Sequence, residues 1–592
     1  MKRFLFSRPV GNSIRGIILL AMLLMSFGYG GANVAYAAPP IHDDFASAKT
    51  ITGIEYHDLN VDTREATPTP AIANVDDPDN IPCPESGDPN RVIDYGYATV
   101  WYKYTPPENQ AITLNTIGTN YDTFLAVWTG TRGHLTLVEG TCNDDTFEGV
   151  VSETGFIGMG GTTYYIEVAQ FHPGTVPTQI GGNLDFNAFI TNTQVLVNNN
   201  VVGSYFVPET SSLRRNLLNL NGGPMEVRNI AQNQTIVSER VIFRFNGIST
   251  SFSEMMGLPN NQLHTVYWLP WYTKNSTMNT QLWIANVSDT ATTIKIFIGG
   301  RLMPGTPFSL APKTTVPKAY TAVNRGPVKI VSTVSTAKIV VSERVIYLVN
   351  GKAKSSSELM ALPQNQLNKV YWLPWYTNNT TMASQLRISN ASGSTASIKI
   401  FIGGNPMPGT PFALAKGKTK ILSYAGVNRG PVKIVSTVNI LASERVIYKV
   451  NGVPVSYTEM MGLPNSQVDT TYWLPLYTRN TALNSQLKIT NVSTSTARVH
   501  IYINGVQITS SPFNLARGAT KLLSPAVIDK GPVNIVSNLK ILASVRVIYK
   551  VSDKITGYSE MMALPNMLLD SKYWFPWYNN KAMNTQLRFA LP

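Results

Sequence analysis

The chain is predicted to be all-β: a β-sandwich head followed by a tandem array of immunoglobulin-like β-sandwich repeats. Three observations predict it. The segment Tyr267-Trp268-Leu269-Pro270-Trp271-Tyr272 returns at 371–376, at 472–477 (with Leu476 for the second tryptophan) and at 573–578 (with Phe575 for the leucine). Its first tryptophans, Trp268, Trp372, Trp473 and Trp574, lie 104, 101 and 101 residues apart, a period that marks a repeat architecture. Between copies, β-branched and aromatic runs are cut by Gly, Pro and Asn turns, about seven to a repeat, as in a sandwich of ~100 residues. Ahead of the array, a segment of different composition shows the same alternation of strand and turn signals.

At 592 residues the chain is too long for one core, so several domains are expected. Residues 1–37 read as a secretory signal. Lys2, Arg3, Arg8 and Arg15 precede the apolar run from Gly16 to Phe27, and Ala35-Tyr36-Ala37 is a small-x-small cleavage site. An uncleaved anchor is the other reading of these residues. The run is too short for a lasting membrane span, and no later segment has the length of one. The expected location is extracellular, associated with the cell envelope.

The two cysteines, Cys83 and Cys142, are expected to be bridged in an exported chain, two separate buried thiols being the alternative. Closing a loop of about 60 residues would stabilise the domain by roughly 4 kcal/mol. The net charge of +13 hides a division. Residues 38–193 hold 5 basic and 21 acidic side chains, a balance of −16, whereas 194–592 hold 39 and 14, a balance of +25. An anionic partner for the array follows: a cell-envelope polymer, a polysaccharide, another surface protein, or the acidic heads of neighbouring copies. Nucleic acid is disfavoured, because the charges are scattered and form no stripe.

The head spans 38–192. Ala98 to Tyr104, Ile112 to Thr116, Thr123 to Trp128 and Thr162 to Val168 are the strand-like runs. Residues 58–97, rich in Pro, Asp and Thr, read as surface loop. The head resembles the bacterial pre-peptidase C-terminal domain, a jelly-roll sandwich similar to CUB modules. The resemblance rests on His42-Asp43-Asp44-Phe45-Ala46-Ser47-Ala48, on Thr99 to Thr105, on Asn120-Tyr121-Asp122-Thr123 through Gly130, on Cys142-Asn143-Asp144-Asp145, and on Gly161 to Ile166. It implies a secreted accessory module that adheres and does not catalyse, with a Cys83–Cys142 bridge. It also implies calcium at Asp122, which matches the ligand aspartate of the CUB motif. Asp144 and Asp145 offer further hard oxygen ligands, of which calcium needs several. The other reading is that such residues satisfy turn amides.

Counted from Thr193, the array divides into repeats at 193–292, 293–396, 397–497 and 498–592. These resemble repeats of large surface proteins of Chloroflexota-type bacteria, a likeness that implies no known activity. An alternative phase starts each fold at the Tyr-Trp strand. The first copy then lacks two strands, and residues 570–592 are left to complete a first sandwich in another molecule. Ser253 to Pro259 reads as a capped helical turn with a Met255-Met256 plug. Alternation puts Glu444 on an otherwise apolar face, and Lys433 is its expected partner across a turn near Val438-Asn439. Trp268, Trp372, Trp473 and Trp574 are the candidate ligand-binding residues, since flat aromatics stack on sugars. Because alternation buries half of each motif, packing is the competing reading.

No His-Glu-x-x-His, Gly-x-Ser-x-Gly, P-loop or dinucleotide fingerprint is present, and the six histidines recur with no base partner. The function expected is non-enzymatic: a secreted or surface stalk, on the order of 150 Å if the units stack end to end, presenting an adhesive head. The alternative is a carbohydrate- or polymer-binding accessory module of an extracellular enzyme system. No cofactor beyond calcium is implied.

Overall fold

The computed structural model describes residues 38–592 except 67–80, 86–87, 94–96, 147–148, 172–179, 246–247, 527–528, 552–553 and 582. The signal segment 1–37 lies outside the described residues, as does the side chain of Cys83 and with it the expected bridge to Cys142. Strands make up nearly all the regular structure, and the only helical pieces among the described residues are five three-residue 3-10 turns.

Two sheets form the head. One orders Lys49–Thr50, Tyr97–Tyr104, Tyr164–Gln170, Thr123–Thr131 and His134–Leu137; the other orders Tyr56–Asp62, Asn183–Ile190, Gln110–Asn115 and Glu153–Gly158. Their inner faces supply Val100, Tyr102, Leu114, Leu125, Ile166 and Phe186 to one core. The segment read as loop, 58–97, in fact contributes Tyr56–Asp62 to a sheet and a two-stranded ribbon, Ile81–Glu85 with Asp88–Ile93.

In the array, strand pairing decides the phase. Asn368–Leu373 pairs with the first half of the 19-residue strand Val432–Val450, and Met382–Asn390 pairs with its second half. That strand continues into Val453–Met461 as a hairpin, and Leu463–Pro464 returns to pair with Tyr371 and Trp372. One sandwich therefore runs from 368 to 464, and its neighbours run from 266 to 363 and from 469 to 565. The cut falls at the Tyr-Trp strand, not at 293, 397 and 498. The reason is that the long strand belongs to both sheets of its unit and draws the Tyr-Trp strand beside it.

The first unit is consequently incomplete by itself. Residues 193–259 supply most of it; the rest is Lys572–Phe575, Tyr578–Asn579 and Asn584–Ala590. Lys572–Phe575 pairs with Met225–Asn229, and Asn584–Ala590 lies between Ser212–Arg215 and Ile236–Phe245. The strands expected to be donated to another molecule are donated within the chain, and the array closes into a ring of four units. This corrects the expectation of a linear stalk: the end-to-end stack has no free end.

The ring has a hub built from one hairpin of each unit. Ser253 Oγ accepts a hydrogen bond from the Glu358 amide at 2.8 Å, Ser357 Oγ from Glu459 at 3.0 Å, Thr458 Oγ1 from Glu560 at 3.1 Å, and Ser559 Oγ from Glu254 at 2.9 Å. This cycle of four equivalent bonds returns to its start. The segment read as a helical turn is thus the strand Ile248–Met256. Local capping chemistry gives way to packing, which buries Ser253, Glu254 and Met255 together.

Candidate functional site

The Tyr-Trp motif joins adjacent units. Tyr267, Leu269 and Tyr272 sit fully buried in their own core. Pro270 interrupts the strand, so Tyr272 re-enters the core on the second sheet, while Trp271 stays half-exposed and donates to Asn324. Trp268, on the opposite face, packs into the apolar cluster of the next unit. Trp372 does the same one unit further on, Trp574 enters the cluster of the second unit, and Trp473 packs against that of the first. The proline carbonyl adds a polar latch: Pro270 O accepts from Ser389 Oγ at 2.9 Å and Thr419 Oγ1 at 3.0 Å of the following unit. Trp268, Trp372 and Trp574 are 8, 9 and 4 % exposed, which leaves little of their indole faces open, whereas Trp473 is only partly buried. Large aromatic area is more effective as packing between units than as exposed surface.

The edges of two of these indoles line clefts. Between the second and third units, Trp268, Phe297 and Lys329 face the turn Asn390-Ala391-Ser392-Gly393 and Lys416 across a cavity of about 360 Å³. Between the third and fourth, Trp372, Phe401 and Lys433 face Asn491 to Thr494 and Arg517 across about 290 Å³. Lys329 Nζ stands 5.2 Å from the Trp268 ring centroid, and Lys433 Nζ stands 4.9 Å from that of Trp372. Such contacts hold a cation over a ring without neutralising it. None of Lys329, Lys416, Lys433 and Arg517 has a carboxylate partner among the described residues. Lys433 is therefore not the partner of Glu444: the chain runs straight through Val438-Asn439 as one strand, and no turn brings the two together.

The other two interfaces differ. At the lysine position the first unit has Glu226, paired with Lys572 at 3.2 Å, while across the interface Lys313 is paired with Asp289 at 3.2 Å. The fourth unit has Asn534 there. Two adjacent clefts thus keep unneutralised cations. Each can hold an anionic group such as a carboxylate, sulfate or phosphate by charge and by Lys or Arg hydrogen bonds. Sequence reasoning singled out Lys433 alone, as a partner for Glu444 and not as a cation of a cleft. The signal was the variation Glu226, Lys329, Lys433, Asn534 at one position of an otherwise constant frame.

Titratable groups concentrate at the hub. Glu459 is bound by Arg387 and Arg445, each at 2.9 Å, and Glu560 by Lys488 at 2.9 Å and by Arg546. These cations outweigh burial and hold Glu560 down at about 2 and Glu459 below its ordinary value. Glu444 faces Glu560 across an interface with no cation of its own; burial, then the neighbouring carboxylate, pushes it up to about 8. Glu239 and Glu343 are raised in the same way, burial first, then Glu358 and Glu459. All are buried in packed interfaces, as structural ion pairs and carboxyls whose charge burial disfavours.

In the head, burial and then the charges of Asp145 and Asp144 push Asp122 up to about 7. Its Oδ1 is buried without a hydrogen-bond partner. The three acids are near one another, but Asp144 is buried and Asp145 exposed, and no group of three acidic, His or Cys side chains is gathered for a metal among the described residues. The calcium expectation gains no support from this geometry. In the Asn-x-Ser triplets at Asn286 and Asn390 the asparagines are buried, with both amides bonded to backbone carbonyls, which removes them as glycan acceptors.

Neither a family model nor a curated protein matches this chain. Among solved structures, the M60 catalytic domain with the CBM51-1 and CBM51-2 domains from Clostridium perfringens ZmpB aligns over 71 % of this chain at 10 % identity and a TM-score of 0.12. The chain spans 53 % of that structure. A glycosyl hydrolase family 2 member from Bacteroides cellulosilyticus DSM 14838 aligns over 78 % of this chain and 92 % of its own, at 6 % identity and a TM-score of 0.11. Likenesses of this size carry no argument about the chain.

Proposed function

We infer that this is a non-enzymatic, extracellular binding protein whose ring holds the anionic groups of a cell-envelope polymer or acidic polysaccharide. The observation that carries this reading is the pair of adjacent clefts lined by Lys329 with Lys416 and by Lys433 with Arg517, in a basic array with no carboxylate opposite them. The signal-like N-terminus and the adhesive family that the head resembles support the extracellular assignment, and Cys83 with Cys142 as a bridge fits that compartment. The head, packed on the first unit through the Arg215–Glu153 ion pair at 2.5 Å, is a second domain presented by the ring.

The test is retention of the mature protein on immobilised polygalacturonate against neutral dextran, with salt added stepwise. Retention on the acidic polymer alone, lost with salt, is expected. The double substitution Lys329→Ala, Lys433→Ala should weaken it by tenfold or more, since each charged contact contributes about 1.5–3 kcal/mol. Equal retention on dextran, or an unaffected double variant, would sink the reading.

A further inference from the structure

On the side of the Leu-Pro segments, the hub ends in a dish shared by all four units. Met256, Met360, Met461 and Met562, one from each unit, line it together with the four Leu-Pro pairs, around a cavity of about 150 Å³. Methionine is unbranched and pliable, which suits it to a receptacle for an apolar side chain. Around the dish stand four three-residue turns, Asn260–Gln262, Gln364–Gln366, Asn465–Gln467 and Asn566–Leu568. Three of them are wholly polar, whereas the fourth carries Met567, 53 % exposed.

The turns are tied down from below. The Trp268 indole donates to Gln364 Oε1 at 3.2 Å, Trp372 to Asn465 Oδ1 at 2.9 Å, Trp473 to Asn566 Oδ1 at 2.9 Å and Trp574 to Asn260 Oδ1 at 3.0 Å. The Met567 amide donates to Asp469 Oδ2 at 3.1 Å, and the Asn261 amide to Asp570 Oδ2 at 2.7 Å. Knob and dish are therefore positioned in advance, which lowers the ordering cost of a contact made through them. The face is also uncharged. No ionisable side chain occurs at 256–263, 360–368, 461–468 or 562–569, in an array whose balance is +25. Just beyond these stretches stand His264, Lys369, Asp469 and Asp570, of both signs, with the two acids already bonded to turn amides.

We propose that this end of the ring docks on the same end of a second copy of the chain, Met567 of each ring entering the methionine dish of the other. A knob and a hole on one face are self-complementary: a single two-fold axis satisfies both contacts at once, and the pair closes without further growth. Two copies this basic repel wherever their cations meet, and this face brings none together. Its make-up, methionine and aliphatic groups inside a rim of uncharged amides, is that of an interface core. A foreign apolar peptide would fill the dish but leave Met567 in water, so a second copy is the occupant that uses both features. Pairing would put four cation clefts on one particle, two from each ring.

Sedimentation equilibrium of the mature protein across a range of concentration and salt tests this. A monomer–dimer equilibrium is expected, and it should tighten as salt screens the repulsion between two basic arrays, the reverse of polymer capture. Met567→Glu should weaken pairing roughly tenfold or more while leaving the thermal transition unchanged, and Met567→Leu should preserve it. The cleft variant Lys329→Ala, Lys433→Ala should pair at least as tightly as the parent. In a mixture of isotopically labelled and unlabelled protein, a photoreactive residue at 567 should cross-link to the Leu-Pro segments of the other copy. The proposal is overturned by a monomer at every concentration and salt, including one that carries a foreign peptide in the dish. Pairing undiminished in Met567→Glu, pairing loosened by salt, species that grow beyond a dimer, or cross-links to another face would each overturn it too.

Discussion

The head and the first unit of the ring are both sandwiches and lie against each other, Phe189 stacked on Phe206 at 4.3 Å, yet they are completed in opposite ways. Every strand of the head comes from one stretch, 49–190. The first unit takes Tyr573, Phe575, Tyr578, Leu587 and Phe589 of its core from the far end of the chain. A sandwich closed by its own stretch can fold alone. One closed by strands more than 300 residues away can form only when the whole ring does, at a loop-closure cost that grows slowly with length. The hub extends this interdependence, because the carboxylate of one unit meets the ionisable groups of the next.

Deleting 570–592 should break the comparison most severely. The head should keep its own melting transition, while the array loses its cooperative one and becomes protease-sensitive throughout, as limited digestion followed by mass analysis would show. An array that still melts as one unit would refute ring closure. Smaller changes at the hub sharpen the point. Glu459→Ala leaves Arg387 and Arg445 buried without a counter-charge and should cost about 3–5 kcal/mol in chemical denaturation. Trp372→Ala empties an interface and should cost about 3–5 kcal/mol, whereas the same change at Trp271, half-exposed, should cost far less.

The pH dependence should also divide the two regions of the hub. Glu444, raised from 4.5 to about 8, is protonated in the ring and ionised in the unfolded chain above 4.5. Its contribution is full below pH 4.5 and is lost as pH rises through about 8. Glu560, lowered to about 2, contributes above 4.5 and loses that contribution as pH falls toward 2. The array's unfolding free energy should therefore decline from about pH 5 to pH 8, by at most ~1.4 kcal/mol per pH unit for each such acid, as chemical denaturation across that range would show. Glu444→Val, which copies Val545 of the fourth unit, should flatten that slope at a cost below about 1.5 kcal/mol.

The pattern of residues in the head was legible because its strands alternate or run apolar between Gly and Pro, and Tyr97–Tyr104 and Thr123–Thr131 fall where those runs stand. The Tyr-Trp motif announced four units. What each tryptophan touches was not legible, since alternation assigns Trp268 to a face but does not say that a neighbouring unit covers it. Ser253-Glu254-Met255-Met256 misled for a related reason: it carries the local marks of a capped turn, while hub contacts from three other parts of the chain impose a strand. The Lys433–Glu444 pairing failed because it assumed a turn in what is an uninterrupted strand. In the second unit Val328–Ser332 and Ile339–Val349 are separate, and that unit is the one with the longer period. The spare strands at 570–592 were visible as spare; whether they complete their own molecule or another is a matter of three-dimensional reach, which no local pattern carries.

Closure also fixes arithmetic. A row of modules can grow or shrink by one through duplication in its gene, each addition disturbing only its nearest contact. Here an inserted fifth module would force every neighbour to a shallower angle, drawing the hydroxyls of Ser253, Ser357, Thr458 and Ser559 away from the amides they now meet. Relatives of this protein should accordingly vary in the loops at the rim, and keep the number of modules constant.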